Sequence, residues 1–115
     1  MKLTGFLNTD QTAQKFKKLL PITIPMVQYG GREYYGSIDE EITTPAEGRL
    51  RFDDGDITYC PQNNSIAIFY AQTGRPNLTM NVIPIGKVTS DLSLFNTFAH
   101  NITISFEIDN QAFRH

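Results

Sequence analysis

The sequence has no tryptophan, a single cysteine and no long apolar run, and each of these absences excludes a class of protein. With Cys60 as the only cysteine, the chain forms no internal disulfide and no metal site built from several cysteines. No apolar run approaches the roughly 20 residues that cross a bilayer, so no membrane span is predicted. Met1 to Asp10 lack the apolar segment of a signal peptide, which favours a soluble, cytoplasmic protein.

Acidic and basic residues are nearly balanced. The 115 residues carry 10 Lys and Arg against 12 Asp and Glu, which gives a net charge of −2. The one basic cluster, Lys15, Lys17 and Lys18, falls on the polar face of a predicted helix, where such clusters are usually solvated. No basic stripe matches a row of phosphates, so nucleic acid is not an expected partner.

Periodicity and turn signals predict one mostly β domain over residues 1–115. Thr9 or Asp10 caps a short helix that ends at Pro21. About seven or eight short strands, with turns roughly every 8–12 residues, favour a closed antiparallel β-barrel with two short capping helices over a βαβ sheet. Pro25 falls inside a predicted strand and indicates an edge or a bulge there. The predicted core includes Phe16, Leu20, Ile57, Ile68, Phe69, Ile85, Leu92, Ile104 and Phe106.

Three segments resemble cyclophilins, and they occur in the same order along the chain. Thr12–Phe16 is similar to the T-A-x-x-F helix that follows the first cyclophilin strands. Gly55–Tyr59 and Ser65–Tyr70 resemble the paired strands that carry part of the cyclophilin binding groove. Ile85–Leu92 resembles the F-G-K-V strand and the short helix after it. The resemblance implies a cyclophilin-like β-barrel.

A closer resemblance is to short bacterial and archaeal cyclophilin-like proteins of unknown function, some of which are attached to flavodoxin-like domains. Members commonly begin with a longer first strand than Lys2–Leu7 offers, so we expect this chain to be short at its N-terminus. The segments that carry the resemblance are Leu19–Pro21, Tyr29–Tyr34, Gly55–Tyr59, Ala67–Tyr70 and Ile85–Asp91.

The resemblance also allows a test for prolyl isomerase chemistry, which must lower an amide rotation barrier of about 18–20 kcal/mol. Cyclophilins do so with an arginine in a groove that has a phenylalanine floor and is flanked by glutamine, histidine and usually tryptophan. At the matching positions this chain has Ile38–Glu40 for the arginine strand, Ala67 for the glutamine and Val82 for the histidine. Only the floor residue, Phe69, is kept. Because the transition-state donors are missing, no catalytic residue is assigned.

The groove implied by the resemblance then predicts a binding module without catalytic activity. His100 and His115 lack the spacing of metal ligands, and we expect neither a metal nor a cofactor. Aromatic rings beside a cation suit a peptide or a small anionic ligand, so the partner is expected to be one of these. The predicted ligand-binding residues are Arg32, Tyr34, Tyr59, Phe69, Tyr70 and Lys87.

Two alternatives to this binding module stay open. A prolyl isomerase predicts that an arginine, Arg49 or Arg51, lies in the groove beside Phe69. A structural partner domain in a flavodoxin-linked system predicts instead an exposed apolar patch and no closed pocket.

Overall fold

The computed structural model describes residues 1–72 and 77–109, and this part of the chain forms eight strands and two short helices. The mostly β composition and the positions of most predicted strands are confirmed. The elements in chain order are β1 (Gly5–Leu7), α1 (Gln11–Lys17), β2 (Ile22–Tyr29), β3 (Glu33–Ser37), β4 (Arg49–Arg51), β5 (Asp56–Cys60), β6 (Ser65–Phe69), β7 (Asn77–Val88), a 3₁₀ helix (Leu92–Thr97) and β8 (Asn101–Phe106).

The helix α1 begins where the sequence predicts it. Asp10 is the N-cap: its carboxylate accepts a hydrogen bond from the N–H of Ala13 at 3.0 Å. Ala13 and Phe16 are buried, while Lys17 and Lys18 are exposed, so the apolar stripe decides which face packs on the sheet. Within the described ranges, no helix has the length and apolar character needed to span a membrane.

The sheet is an open half-barrel, and the prediction of a closed barrel is wrong. The strands are all antiparallel and follow the order β1-β7-β5-β6-β3-β2-β8, with β4 paired to β7. In the described residues no ladder joins the two ends of this order. On one side the three residues of β1 pair with β7, and among the described residues the pairing partner of β8 is β2.

The main hydrophobic core lies on the inner face of the half-barrel, the face that packs against α1 and the 3₁₀ helix. Most of the predicted core residues are found here, but Phe69 belongs to a separate cluster on the outer face with Phe52 and Ala67. The predicted residues Phe16, Ile57, Ile68 and Ile85 are buried in the inner core, and Leu20, Leu92, Ile104 and Phe106 pack partly buried against it.

The outer face is covered in part by a strand that is longer than its sequence pattern predicts. The apolar run predicts a strand from Val82, whereas β7 spans twelve residues from Asn77. Its first half alternates exposed with half-buried residues, which hides it from a search for apolar runs. This half pairs with β4, and the chain leaving β4 brings Phe52 onto Phe69, with ring centres 4.2 Å apart.

Candidate functional site

Arg32 lies on the outer face among three aromatic rings. Its guanidinium carbon is 5.4 Å from the ring centre of Tyr29, 5.6 Å from that of Phe52 and 5.7 Å from that of Phe69. These distances allow cation–π attraction. Its Nε donates to the Glu33 carboxylate at 2.9 Å, and its terminal nitrogen is ion-paired with the same oxygen. The predicted residues Arg32 and Phe69 are therefore neighbours, beside three residues that the sequence reading missed.

The ion pair between Arg32 and Glu33 is almost completely enclosed. Each side chain is 11% exposed. Burial raises the pKa of Glu33, and the hydrogen bond and positive charge of Arg32 oppose that rise. Taking two charges out of water costs free energy that their attraction only roughly offsets, so this pair is a weak source of stability. The ion pair does hold the Arg32 guanidinium next to the Phe69 ring.

Tyr34 and Tyr70, two further predicted ligand residues, lie together on the inner face. Their ring centres are 5.7 Å apart, and the Tyr70 ring stacks on Phe95 at 5.4 Å. The Tyr34 hydroxyl donates to the carbonyl oxygen of Ala99 at 2.6 Å. Burial raises the pKa of both phenols. Both side chains are fully or nearly fully covered, and they close the barrel end against the 3₁₀ helix.

Tyr59 is a third inner-face tyrosine, separate from the other two. Its hydroxyl donates to Asn64 Oδ1 at 2.7 Å and accepts the backbone N–H of Ile42 at 3.3 Å. The ring has no exposed surface, and burial raises the pKa of this phenol also. Its hydrogen bonds tie the loop after β3 to the turn between β5 and β6.

Lys87 is the most exposed of the predicted ligand residues. Its side chain is 42% exposed, and its ammonium lies 3.7 Å from the buried carboxylate of Asp56. Arg49 donates to the other oxygen of that carboxylate at 3.0 Å and lies 3.5 Å from Asp53. The structure therefore brings Lys87 to a mixed charge cluster and not to the aromatic rings around Arg32.

The arginine beside Phe69 is Arg32, not the arginine that the isomerase alternative predicts. Arg49 is held by Asp56 and Asp53, and Arg51 is exposed on β4. Arg32 in turn is held by Glu33, and Phe69 is only 1% exposed because Phe52 lies on it. The structural-partner alternative stays a prediction, as the exposed large hydrophobic residues lie on different elements: Met1, Phe6, Tyr29, Leu50 and Ile108.

A gap opens where β2 and β3 part. The two strands pair only from Val27 opposite Tyr35 to Tyr29 opposite Glu33, although β2 itself begins at Ile22. In an antiparallel strand successive residues direct their N–H and C=O groups to opposite sides. The N–H of Gln28 donates to the His100 carbonyl, so even-numbered residues of β2 bond β8 and odd-numbered ones face β3.

Pro25 explains the position of this gap. It is the next residue of β2 that faces β3 after Val27, and proline has no N–H to continue the ladder. A Cβ on Gly36 would lie 2.1 Å from the Pro25 carbonyl oxygen, so the absence of a side chain allows the two strands to approach before they part. The sequence predicts an edge strand or a bulge at Pro25; β2 is instead an interior strand in regular register with β8, and only its ladder with β3 stops before Pro25.

Two depressions lie along the gap and meet at Pro25 and Ser37. One of about 540 Å³ extends towards β8, and the other, of about 400 Å³, extends towards the end of α1. We call the combined surface, bounded by Ile22–Val27 and Tyr35–Glu40, the β2–β3 trough. Tyr35 also packs against the Phe52–Phe69 cluster, which joins the trough to the rings around Arg32.

No metal site accompanies the trough in the part of the chain that the structure describes. Among those residues no three His, Cys, Asp or Glu side chains converge. His115 lies outside the described residues.

The comparison with known proteins agrees with the fold. The cyclophilin-like family matches residues 1–107. The chain belongs to this family. A similar solved structure is the solution structure of the hypothetical protein AF2241 from Archaeoglobus fulgidus, with a TM-score of 0.66 and 17% identity over 84% of this chain and 76% of that one. At this identity the likeness establishes the fold alone. No curated protein matches this cyclophilin-like chain.

Proposed function

We propose that this cyclophilin-like protein is a non-catalytic module that binds an extended peptide in the β2–β3 trough. The observation that carries the proposal is the interrupted ladder between β2 and β3, which ends at Val27 and Tyr35. Beyond that point Thr23 pairs with β8 and Ser37 with β6, and no ladder between β2 and β3 is formed there by the described residues. Peptides in extended conformation bind by supplying such backbone partners.

The side chains along the trough favour the same ligand. Pro25, Val27 and Tyr35 offer apolar surface, and the ring of Tyr35 is braced from behind by the Phe69 cluster. Lys18, Asp39 and Glu40 lie at the far end, which therefore offers the ligand charges of both signs. In this proposal the predicted residues Arg32 and Phe69 act as the support of Tyr35.

Recognition fits the site better than isomerisation. A groove of the cyclophilin type needs an open phenylalanine floor and a guanidinium directed at the substrate. Here Phe52 covers Phe69, and the Arg32 guanidinium donates to the Glu33 carboxylate. Electrostatic help aimed at a transition state requires donors that are free to reach it.

A peptide screen tests the proposal. We expect members of a library of fluorescent extended peptides, including proline-containing ones, to bind the wild-type chain. Ser37→Trp places a large ring in the trough at an exposed position, so we expect it to weaken the best peptide at least about tenfold, or about 1.4 kcal/mol.

Ser93→Trp is the matched control, because Ser93 is an exposed serine on the 3₁₀ helix. It should leave the affinity unchanged. Peptides that bind equally well to wild type and to Ser37→Trp, or a library without any binder, would contradict the proposal. Faster cis–trans exchange of a bound prolyl peptide, measured by NMR, would favour the isomerase alternative.

A further inference from the structure

Among the described residues, one edge of β8 has no strand paired to it, and the backbone groups on that edge can be named. Pro25 pairs with Thr103, and this pair lies between the hydrogen-bonded positions of the β2–β8 ladder. Odd-numbered residues of β8 therefore direct their N–H and C=O groups away from β2. No other described strand pairs with β8. The residues with these outward groups are Asn101, Thr103 and Ser105, all of them exposed.

This edge lacks the features that usually keep an edge strand from pairing. Natural edges are protected by prolines, inward or central charges, bulges or extreme shortness. From Asn101 to Phe106 the strand has no proline, no lysine and no charged residue, and its register with β2 is unbroken over six positions. The inner-face side chains Ile102, Ile104 and Phe106 are only partly buried.

We propose that β8 pairs antiparallel with β8 of a second copy of this chain, with Thr103 opposite the partner's Thr103. In this register Asn101 lies opposite the partner's Ser105, so every outward-facing residue of the strand meets another one. Each such pair exchanges two hydrogen bonds. The two half-barrels then share one continuous sheet across a twofold axis, an isologous contact.

The side chains of β8 are complementary to themselves in this register. Ile102 meets the partner's Ile104 on the inner face, and Thr103 meets the partner's Thr103 on the outer face. Threonine pairs directly across two strands are favourable. No charged residue opposes another, because Glu107 lies opposite Ala99. This self-complementarity favours a second copy as the occupant.

Asn101 and Thr103 also line the depression that extends from the trough towards β8, so the test of the dimer reads mass and is carried out without peptide. Sedimentation of the full chain over a range of concentrations should show a monomer–dimer equilibrium. Thr103→Asp brings two carboxylates together at the axis, so we expect the dimer dissociation constant to rise at least about fivefold. Thr103→Lys should act in the same way. An equal mixture of the two variants should recover a heterodimer, because opposite charges then meet.

Thr79→Asp is the matched control, since Thr79 is also an exposed threonine in a strand, and it should leave the dimer unchanged. Circular dichroism melts of all variants verify that each one folds. A wild-type chain that stays monomeric at every concentration overturns the proposal, as does a Thr103→Asp dimer as tight as the wild type. A heterodimer no tighter than either single variant overturns the register.

Discussion

The Glu33 carboxylate is buried beside Arg32, and its protonation is therefore linked to folding. Because burial raises its pKa in the folded protein above the ordinary value of 4.5, the unfolded chain releases this proton first as the pH rises. The stability that the protonated form contributes is present below the ordinary pKa and is lost as the pH passes through the raised one. We expect the unfolding free energy of wild type relative to Glu33→Gln to fall as the pH rises above the ordinary pKa of 4.5.

Urea denaturation at several pH values measures this difference. Glu47→Gln is the control, because Glu47 is an exposed loop carboxylate and its removal should give no such trend. A difference that grows with pH would mean that the attraction of Arg32 outweighs desolvation. The result also decides whether Arg32 has a charged or a neutral partner at neutral pH.

Residue types alone did not predict the face of the sheet on which each candidate site residue lies. The sequence identifies Tyr34, Tyr59 and Tyr70 as amphipathic residues on strands but does not assign them a face. Tyr59 alternates in phase with Ile57, which is an inner-core residue, and this phase was readable from the sequence. The stacking of Phe52 on Phe69 was not readable, because it depends on a distant pairing between β4 and β7.

At the scale of elements, the approach of β2 to β3 depends on Gly36. A Cβ there would lie 2.1 Å from the Pro25 carbonyl oxygen and 2.8 Å from Ile24 Cγ2. The backbone has to move to relieve this overlap. We expect Gly36→Ala to lower the unfolding free energy by about 1–3 kcal/mol, the usual cost of overpacking.

Thermal and urea unfolding measure this effect, with Ser37→Ala as the control at the exposed neighbouring position. Ser37→Ala should change stability by less than about 0.5 kcal/mol. An unchanged stability of Gly36→Ala would mean that β2 and β3 separate easily. In that case the trough would be a pliable gap and not a preformed groove.

Elements with a strong local signal are the ones that the sequence predicts well. Asp10 and the buried Ala13 and Phe16 define α1, although the helix ends at Lys17 and not at Pro21 as predicted. Pro25 lies where the ladder between β2 and β3 has stopped. The first half of β7 has no apolar run, but Leu78 and Met80 alternate with Asn77, Thr79 and Asn81, which is the period of a half-buried strand. This part of the strand was therefore readable from the sequence, and its pairing with β4 was not.

For the whole molecule, the difference between a closed and an open barrel lies in one pairing. A cyclophilin-like pattern of strands and turns predicts the strands but not whether the first and last of them meet. That contact joins elements at opposite ends of the chain, and in the described residues β1 pairs with β7 and not with β8. The missing ladder leaves the edge of β8 on which the dimer is proposed.

Hydrogen exchange distinguishes an open barrel from a closed one. In the open form the amides of Ile102, Ile104 and Phe106 bond to β2, so they exchange slowly. The amides of Asn101, Thr103 and Ser105 point away from β2, and in a dilute sample they should exchange nearly as fast as loop amides. Concentrating the protein should slow this second set alone, because dimer formation covers it. Protection of both sets at every dilution would mean that the barrel is closed in solution.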